Sequence, residues 1–254
     1  MSSFLWVVLV PALLPVILIL WYVYRADKNE REPFGFVMKV LLMGAIFSIP
    51  CGFIELALEP LLKLFYSEET VQYGFLENTI GVALVEELSK YLVLMIFVWK
   101  SEDFDYSFDG IVYAATASLG FAALENIQYI ISYGAEISLG RAIFAIPGHT
   151  TFGVFMGFYL SKAKKRWLEN RGCGFQKLLT IAVPTLIHGI YDFLLSEQAQ
   201  AADLAWIFIF FVIFIDIFSL KIIKKQSKKD KPLGVIKKIK NTEEAESTSN
   251  NTEA

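Results

Sequence analysis

The feature that most constrains this chain is a series of apolar runs, each about 17–24 residues long, separated by short charged stretches. As helix, a run of that length crosses the roughly 30 Å hydrocarbon core of a bilayer. Composition follows the pattern: 55% of the residues are hydrophobic, only 19% are charged, and the mean hydropathy is +0.50. A soluble domain carries about a quarter charged residues. A soluble globular fold is therefore excluded, as is disorder over most of the chain.

The runs predict an all-α polytopic membrane bundle of about seven helices: Phe4–Tyr24, Phe36–Ile54, Asn78–Trp99, Gly110–Tyr133, Ala142–Leu160, Leu178–Leu195 and Leu204–Leu220. Inside a bilayer each backbone group must find its partner within the protein, which favours helices. A barrel would need period-two alternation, and the runs do not alternate. The first run has no basic n-region and its positive charges follow it, so it reads as a retained anchor rather than a cleaved signal.

Basic residues set the expected orientation. With the N-terminus outside, 20 of the 23 Lys and Arg residues fall on the cytoplasmic side, including all nine lysines after Leu220. Only Lys63 and Arg141 fall outside, and Lys90 lies within a span. A multi-pass protein of the bacterial cell membrane is expected, with residues 1–220 as the membrane domain. Residues 221–254 form a tail, basic and then polar, whose end Asn241–Ala254 has a disordered composition. The lipid bilayer is the expected surrounding, with no nucleic-acid partner, and oligomeric state is left open. Cys51 lies in a span and Cys173 in a cytoplasmic loop, so no disulfide is expected. The acidic stretch holding Glu102, Asp103, Asp105 and Asp109 lacks the glycine and terminal glutamate of a calcium loop and reads as solvated.

Ionisable groups inside spans are costly and point to function. The third span carries Glu86, Glu87 and Lys90, the fourth Glu125, the fifth His149, and the sixth His188 and Asp192. At the helical rise, the three glutamates and two histidines all lie about 10–14 Å below the outer edge. Four helices thus bring polar groups to one level. Glu86 and Lys90 are four apart and Glu87 and Lys90 three apart, so both carboxylates can approach one ammonium; alternatively the lysine neutralises Glu86 alone and leaves Glu87 as the reactive member. Asp192, four residues after His188, can orient the imidazole, and Asn126 can donate to Glu125. Gly153 and Gly157 form a G-x-x-x-G packing face.

Carboxylates and imidazoles at one buried level suit activation of water for hydrolysis of an amide bond, with an imidazole donating to the oxyanion. Neither H-E-x-x-H nor G-x-S-x-G occurs. An aspartyl dyad of Asp192 and Asp216 is disfavoured, since their depths differ by about 13 Å. The rival reading is a proton- or ion-coupled transporter, but no internal repeat supports it.

These residues resemble the PrsW family of intramembrane proteases, relatives of the CAAX prenyl-protein proteases. The likeness runs through E-E-x-x-K (Glu86, Glu87, Lys90) and the stretch from Asp109 to Glu125 and Asn126. It continues through His149, Met156–Leu160, and H-G-I-Y-D-F from His188, with the acidic segment after the first span also similar. The resemblance implies a glutamic-type peptidase making the first, extracytoplasmic cut in a single-pass anti-sigma factor, which frees a stress-response sigma factor. It implies Glu86, Glu87, Glu125 and His188 as the catalytic set, with His149 a further candidate; Lys90, Asn126 and Asp192 are assigned supporting roles by their spacing alone. No cofactor is fixed by it, and a divalent metal held by the histidines and carboxylates stays open.

Overall fold

A computed structural model describes residues 2–234, and the polar end of the tail lies outside them. The long helices are α1 (Ser2–Ala26), α2 (Phe34–Leu62), α5 (Asp109–Tyr133), α7 (Ile146–Leu168), α8 (Gly174–Leu195) and α10 (Ile207–Lys228). Shorter pieces complete the order: α3 (Val71–Leu76), α4 (Leu84–Val93), α6 (Ser138–Gly140) and α9 (Glu197–Ala201). No strand occurs among the described residues.

Among the described residues, five helical segments are long and apolar enough to cross a membrane: Leu9–Ala26, Phe34–Leu62, Asp109–Tyr133, Ser138–Leu168 and Gly174–Leu195. They coincide with five of the seven expected spans. The third expected span is a helical run pieced together from α3, a π-helical stretch Glu77–Ala83, α4 and a second π-helical stretch Leu94–Val98. The seventh is α10, whose apolar run is interrupted by Asp216, Lys221 and Lys224 and which continues to Lys228 rather than stopping at Leu220.

The central element is α5. Its first half reads D-G-I-V-Y-A-A-T-A-S-L-G-F-A, and every residue from Asp109 to Ala122 is buried. Small side chains let neighbours come close, which is how helices associate where lipid offers no hydrophobic drive. A Cβ at Gly157 of α7 would collide with the Gly110 carbonyl and the Ile111 Cα, and one at Gly120 would collide with the Leu41 carbonyl of α2. Thus α7 lies against one flank of α5 and α2 against the other. In contrast, α1 and α10 leave Trp6, Leu14, Ile17, Trp21, Phe210 and Phe214 exposed, as lipid-facing helices do.

Replacing Gly157 with Leu is expected to drive α7 off α5, at a cost of about 1–3 kcal/mol or more for overpacking. Gly174→Leu, where nothing lies within 4 Å of the added Cβ, is the matched control. Melting of the detergent-solubilised protein checks this. Equal Tm values for the two variants would mean that the close helix approach is not needed.

Candidate active site

Four helices supply one buried polar cluster. The first turn of α4 presents Glu86 and Glu87 with Lys90 one turn on; α5 presents Glu125, α7 His149, and α8 His188 and Asp192. α8 can press against the π-helical stretch before α4 because position 189 is glycine; a Cβ there would strike Thr79. π-helical turns insert a residue into the helical path and often lie near functional groups. Here the stretch leads directly into the turn that carries both glutamates.

Lys90 has no exposed surface, and its ammonium has three acceptors for its three N–H groups. Nζ lies 2.7 Å from Glu87 Oε1, 3.2 Å from Glu86 Oε2 and 3.1 Å from His149 Nδ1. The Phe121 ring closes over it at 4.4 Å. The pairing follows the expectation that both carboxylates can reach one ammonium. Lys90 engages both glutamates rather than neutralising Glu86 alone, and Glu87 is the more tightly held. Glu87 is fully buried and also lies 3.0 Å from His188 Nδ1.

Both imidazoles are held between polar groups. His188 has Glu87 on Nδ1 and Asp192 at 3.1 Å from Nε2, and Phe152 stacks on its ring at 4.4 Å. His149 has Lys90 on Nδ1 and Glu125 Oε2 at 2.8 Å from Nε2. Glu86 Oε2 sits between them, 4.0 Å from His149 Nδ1 and 3.9 Å from His188 Nε2.

A cavity of about 1000 Å³ opens on this cluster. Glu86, Glu125, His149, His188 and Asp192 line it, together with Phe121, Tyr129 and Tyr191; Glu87 and Lys90 do not. The charges are unbalanced. Six carboxylates of the cluster and cavity wall (Glu55, Glu86, Glu87, Glu125, Glu136, Asp192) face two permanent cations, Lys90 and Arg141.

The structure thus brings the three glutamates, Lys90, both histidines and Asp192 together. Asn126 departs from expectation: its Oδ1 accepts from Arg141 Nε at 2.5 Å, and it serves the arginine rather than Glu125. Sequence reasoning missed Arg141, whose guanidinium lies 3.0 Å from Glu125 Oε1 and 3.8 Å over the Tyr129 ring. Its signal was present, since it is one of only two basic residues on the basic-poor side. Glu55 was missed because the second span was ended at Ile54, whereas α2 runs on to Leu62 and turns Glu55 to the cavity. Asp216 does not join the cluster; its carboxylate accepts from Thr151 at 2.8 Å.

A cavity walled by acids and imidazoles inside a bundle of membrane-length helices defines the class of intramembrane hydrolytic enzymes. A family model described as PrsW family intramembrane metalloprotease matches residues 32–217. Proteins named Protease PrsW are similar over most of the chain. That of Oceanobacillus iheyensis is 36% identical over 209 residues, covering 82% of this chain and 91% of the relative. That of Bacillus subtilis strain 168 is 36% identical over 214 residues, covering 83% and 91%. No solved structure matches. The chain belongs to the PrsW family, and is accordingly a peptidase of the bacterial membrane.

Proposed function

We propose that this peptidase cuts a single-pass membrane anti-sigma factor near the extracytoplasmic face, releasing a stress-response sigma factor, with Glu86 at the centre of the chemistry. The substrate class rests on the family resemblance. The orientation rests on the basic residues, which put the cavity in the outer leaflet. The role of Glu86 rests on one observation: of the two adjacent glutamates, only Glu86 lines the cavity, and it sits between both imidazoles.

Lys90 and the imidazoles approach Glu86 Oε2, leaving Oε1 to take a proton from a cavity water. The water oxygen bonds to the scissile carbonyl carbon, and the Nε2–H of His188, held by Asp192 at rest while Glu87 and Phe152 fix the ring, turns to the oxyanion. Collapse breaks the C–N bond, and Glu86 returns the proton to the departing amine. Arg141 and Glu125 hold His149 and the cavity wall in place.

The family description implies a metal, and the donors fit one. Glu86, His149 and His188 each offer a ligand atom within 4.8 Å of the others, a His₂Glu set of the kind that holds catalytic zinc. Glu125 and Glu87 stand behind the imidazoles as outer carboxylates, and the excess of acids over cations favours a divalent ion. These three residues would hold it, Glu86 through the Oε2 that faces both imidazoles, with Lys90 competing for Glu86 and His149. Oε1 would stay free to take the proton, and the ion would supply, in place of His188, the polarisation of the carbonyl, along with a more acidic water.

The test is cleavage in proteoliposomes holding the full chain and a single-pass anti-sigma factor. Discrete fragments that vanish on chelation and return with added zinc are expected. Intact substrate under conditions where a soluble-loop peptide or another membrane protein is cut would overturn the substrate class. Cleavage that persists through exhaustive chelation would remove the metal and leave glutamate chemistry.

A further inference from the structure

A second acidic cluster lies well away from the cavity, at the end of the bundle where the α1–α2 connection meets the start of α5. Asp27 and Glu32 come from the connection and Asp109 opens α5. The expectation of a solvated stretch over 102–109 fails for Asp109, which is fully buried; Asp27 is 1% and Glu32 4% exposed. Each of the three offers an oxygen within 4.8 Å of the others.

What separates this cluster from an ordinary acidic patch is its unspent oxygens. Neither carboxylate oxygen of Asp27 nor Oδ1 of Asp109 receives a well-formed hydrogen bond from a protein donor, and the Asp109 and Glu32 carboxyls face each other within bonding reach. The other Asp109 oxygen accepts from the Asp105 and Tyr106 N–H groups at 3.0 and 2.6 Å, which fixes the side chain. Glu32 Oε2 accepts from the Tyr113 hydroxyl. None of the three forms an ion pair with Lys or Arg among the described residues. Asp230, which follows α10 and accepts from the Phe108 N–H and Ser107 hydroxyl, adds more negative charge nearby. Burial, then the charges of Asp230 and Glu30, push Asp27 up to about 7, and burial pushes Glu32 up to about 8. Three carboxylates packed together out of water need protons or a cation among them.

We propose that Asp27, Glu32 and Asp109 bind one hard divalent cation, of the magnesium or calcium kind, which ties the α1–α2 connection to the head of α5. An all-carboxylate donor set selects such ions over zinc, which prefers nitrogen and sulfur. Ligand oxygens on opposite sides of an ion lie about 4.2 Å apart for magnesium and about 4.6–5.2 Å for calcium. The observed spacing therefore accepts either with small side-chain movements. None of the three residues lines the catalytic cavity, so the site is independent of the proposed chemistry there.

The test is a titration of the full-length, chelator-stripped protein in detergent with MnCl₂, read by electron paramagnetic resonance. It is run in a Glu86→Gln/His188→Ala background so that the cavity does not contribute. About one Mn²⁺ per chain is expected to bind, to be displaced by MgCl₂ or CaCl₂, and to be lost in Asp27→Asn; the more effective competitor identifies the ion. Unchanged Mn²⁺ binding in Asp27→Asn, or no Mn²⁺ bound in the parent, overturns the proposal. Should Asp27→Asn fail to fold, the parent's melting decides. A rise in Tm of about 3 °C or more with MgCl₂ or CaCl₂, absent with NaCl of equal ionic strength, supports the site, and no difference from NaCl rules it out.

Discussion

Glu86→Gln is expected to reduce cleavage by about 10²–10⁴-fold, the usual worth of a positioned general acid–base group, while membrane abundance and Tm stay near wild type. The amide keeps the size of the side chain, and its oxygen can still accept from Lys90, so the cluster loses a proton acceptor without losing its packing. Glu87→Gln should behave differently. Glu87 has no wall on the cavity, but it holds both Lys90 and His188. Its loss should lower activity through a displaced imidazole and should also lower Tm. Fragment yield with both variants at matched protein level, alongside their melting curves, is the measurement. Wild-type cleavage by Glu86→Gln together with a folded but inert Glu87→Gln would reverse the two roles and sink Glu86 as the proton carrier.

Lys90→Met is expected to have the largest effect on stability. Its ammonium is the shared donor for Glu86, Glu87 and His149, and Phe121 seals it from above. Without it, two carboxylates remain buried beside each other with no Lys or Arg in contact, and only the His188 imidazole beside Glu87. Removing one partner of a buried ion pair costs about 3–5 kcal/mol, because the charge left behind is uncompensated. Little folded protein should reach the membrane. Adding Glu87→Gln should restore part of it, since the closest unpaired charge is then gone, and the coupling between the two changes should exceed about 1 kcal/mol in a double-mutant cycle. A Lys90→Met protein that melts with wild type would show that the ammonium is not what holds these acids in place.

Much of the architecture was legible because a bilayer imposes length and hydropathy on each crossing segment. Five expected spans match single apolar helices. The third and seventh were harder for physical reasons: π-helical turns divide the run from Val71 to Val98, and charges interrupt α10. The site was legible as a set of residues, since Glu86, Glu125, His149 and His188 share a depth that a helical rise alone can give. Depth fixes one coordinate only. Which side of α4 faces the cavity depends on how α5 and α8 pack around it, and that packing turned Glu86 outward and buried Glu87. Arg141 was hidden for a related reason: it precedes α7 by a π-helical stretch, and only the folded chain carries it back over Tyr129 to Glu125.

By itself the sequence determined that this is a helical membrane protein, which helices carry buried acids and bases, and which family's motifs it bears. These follow from transfer energies and the regular rise of a helix, both local properties. The tertiary structure alone decided that Lys90 also reaches His149 and that Glu86 faces the cavity. It also decided that Asp109, read from sequence as solvated, is buried with Asp27 and Glu32. Such pairings depend on rotation and close approach between helices distant in sequence, set here by the small residues along α5, and no local periodicity encodes them.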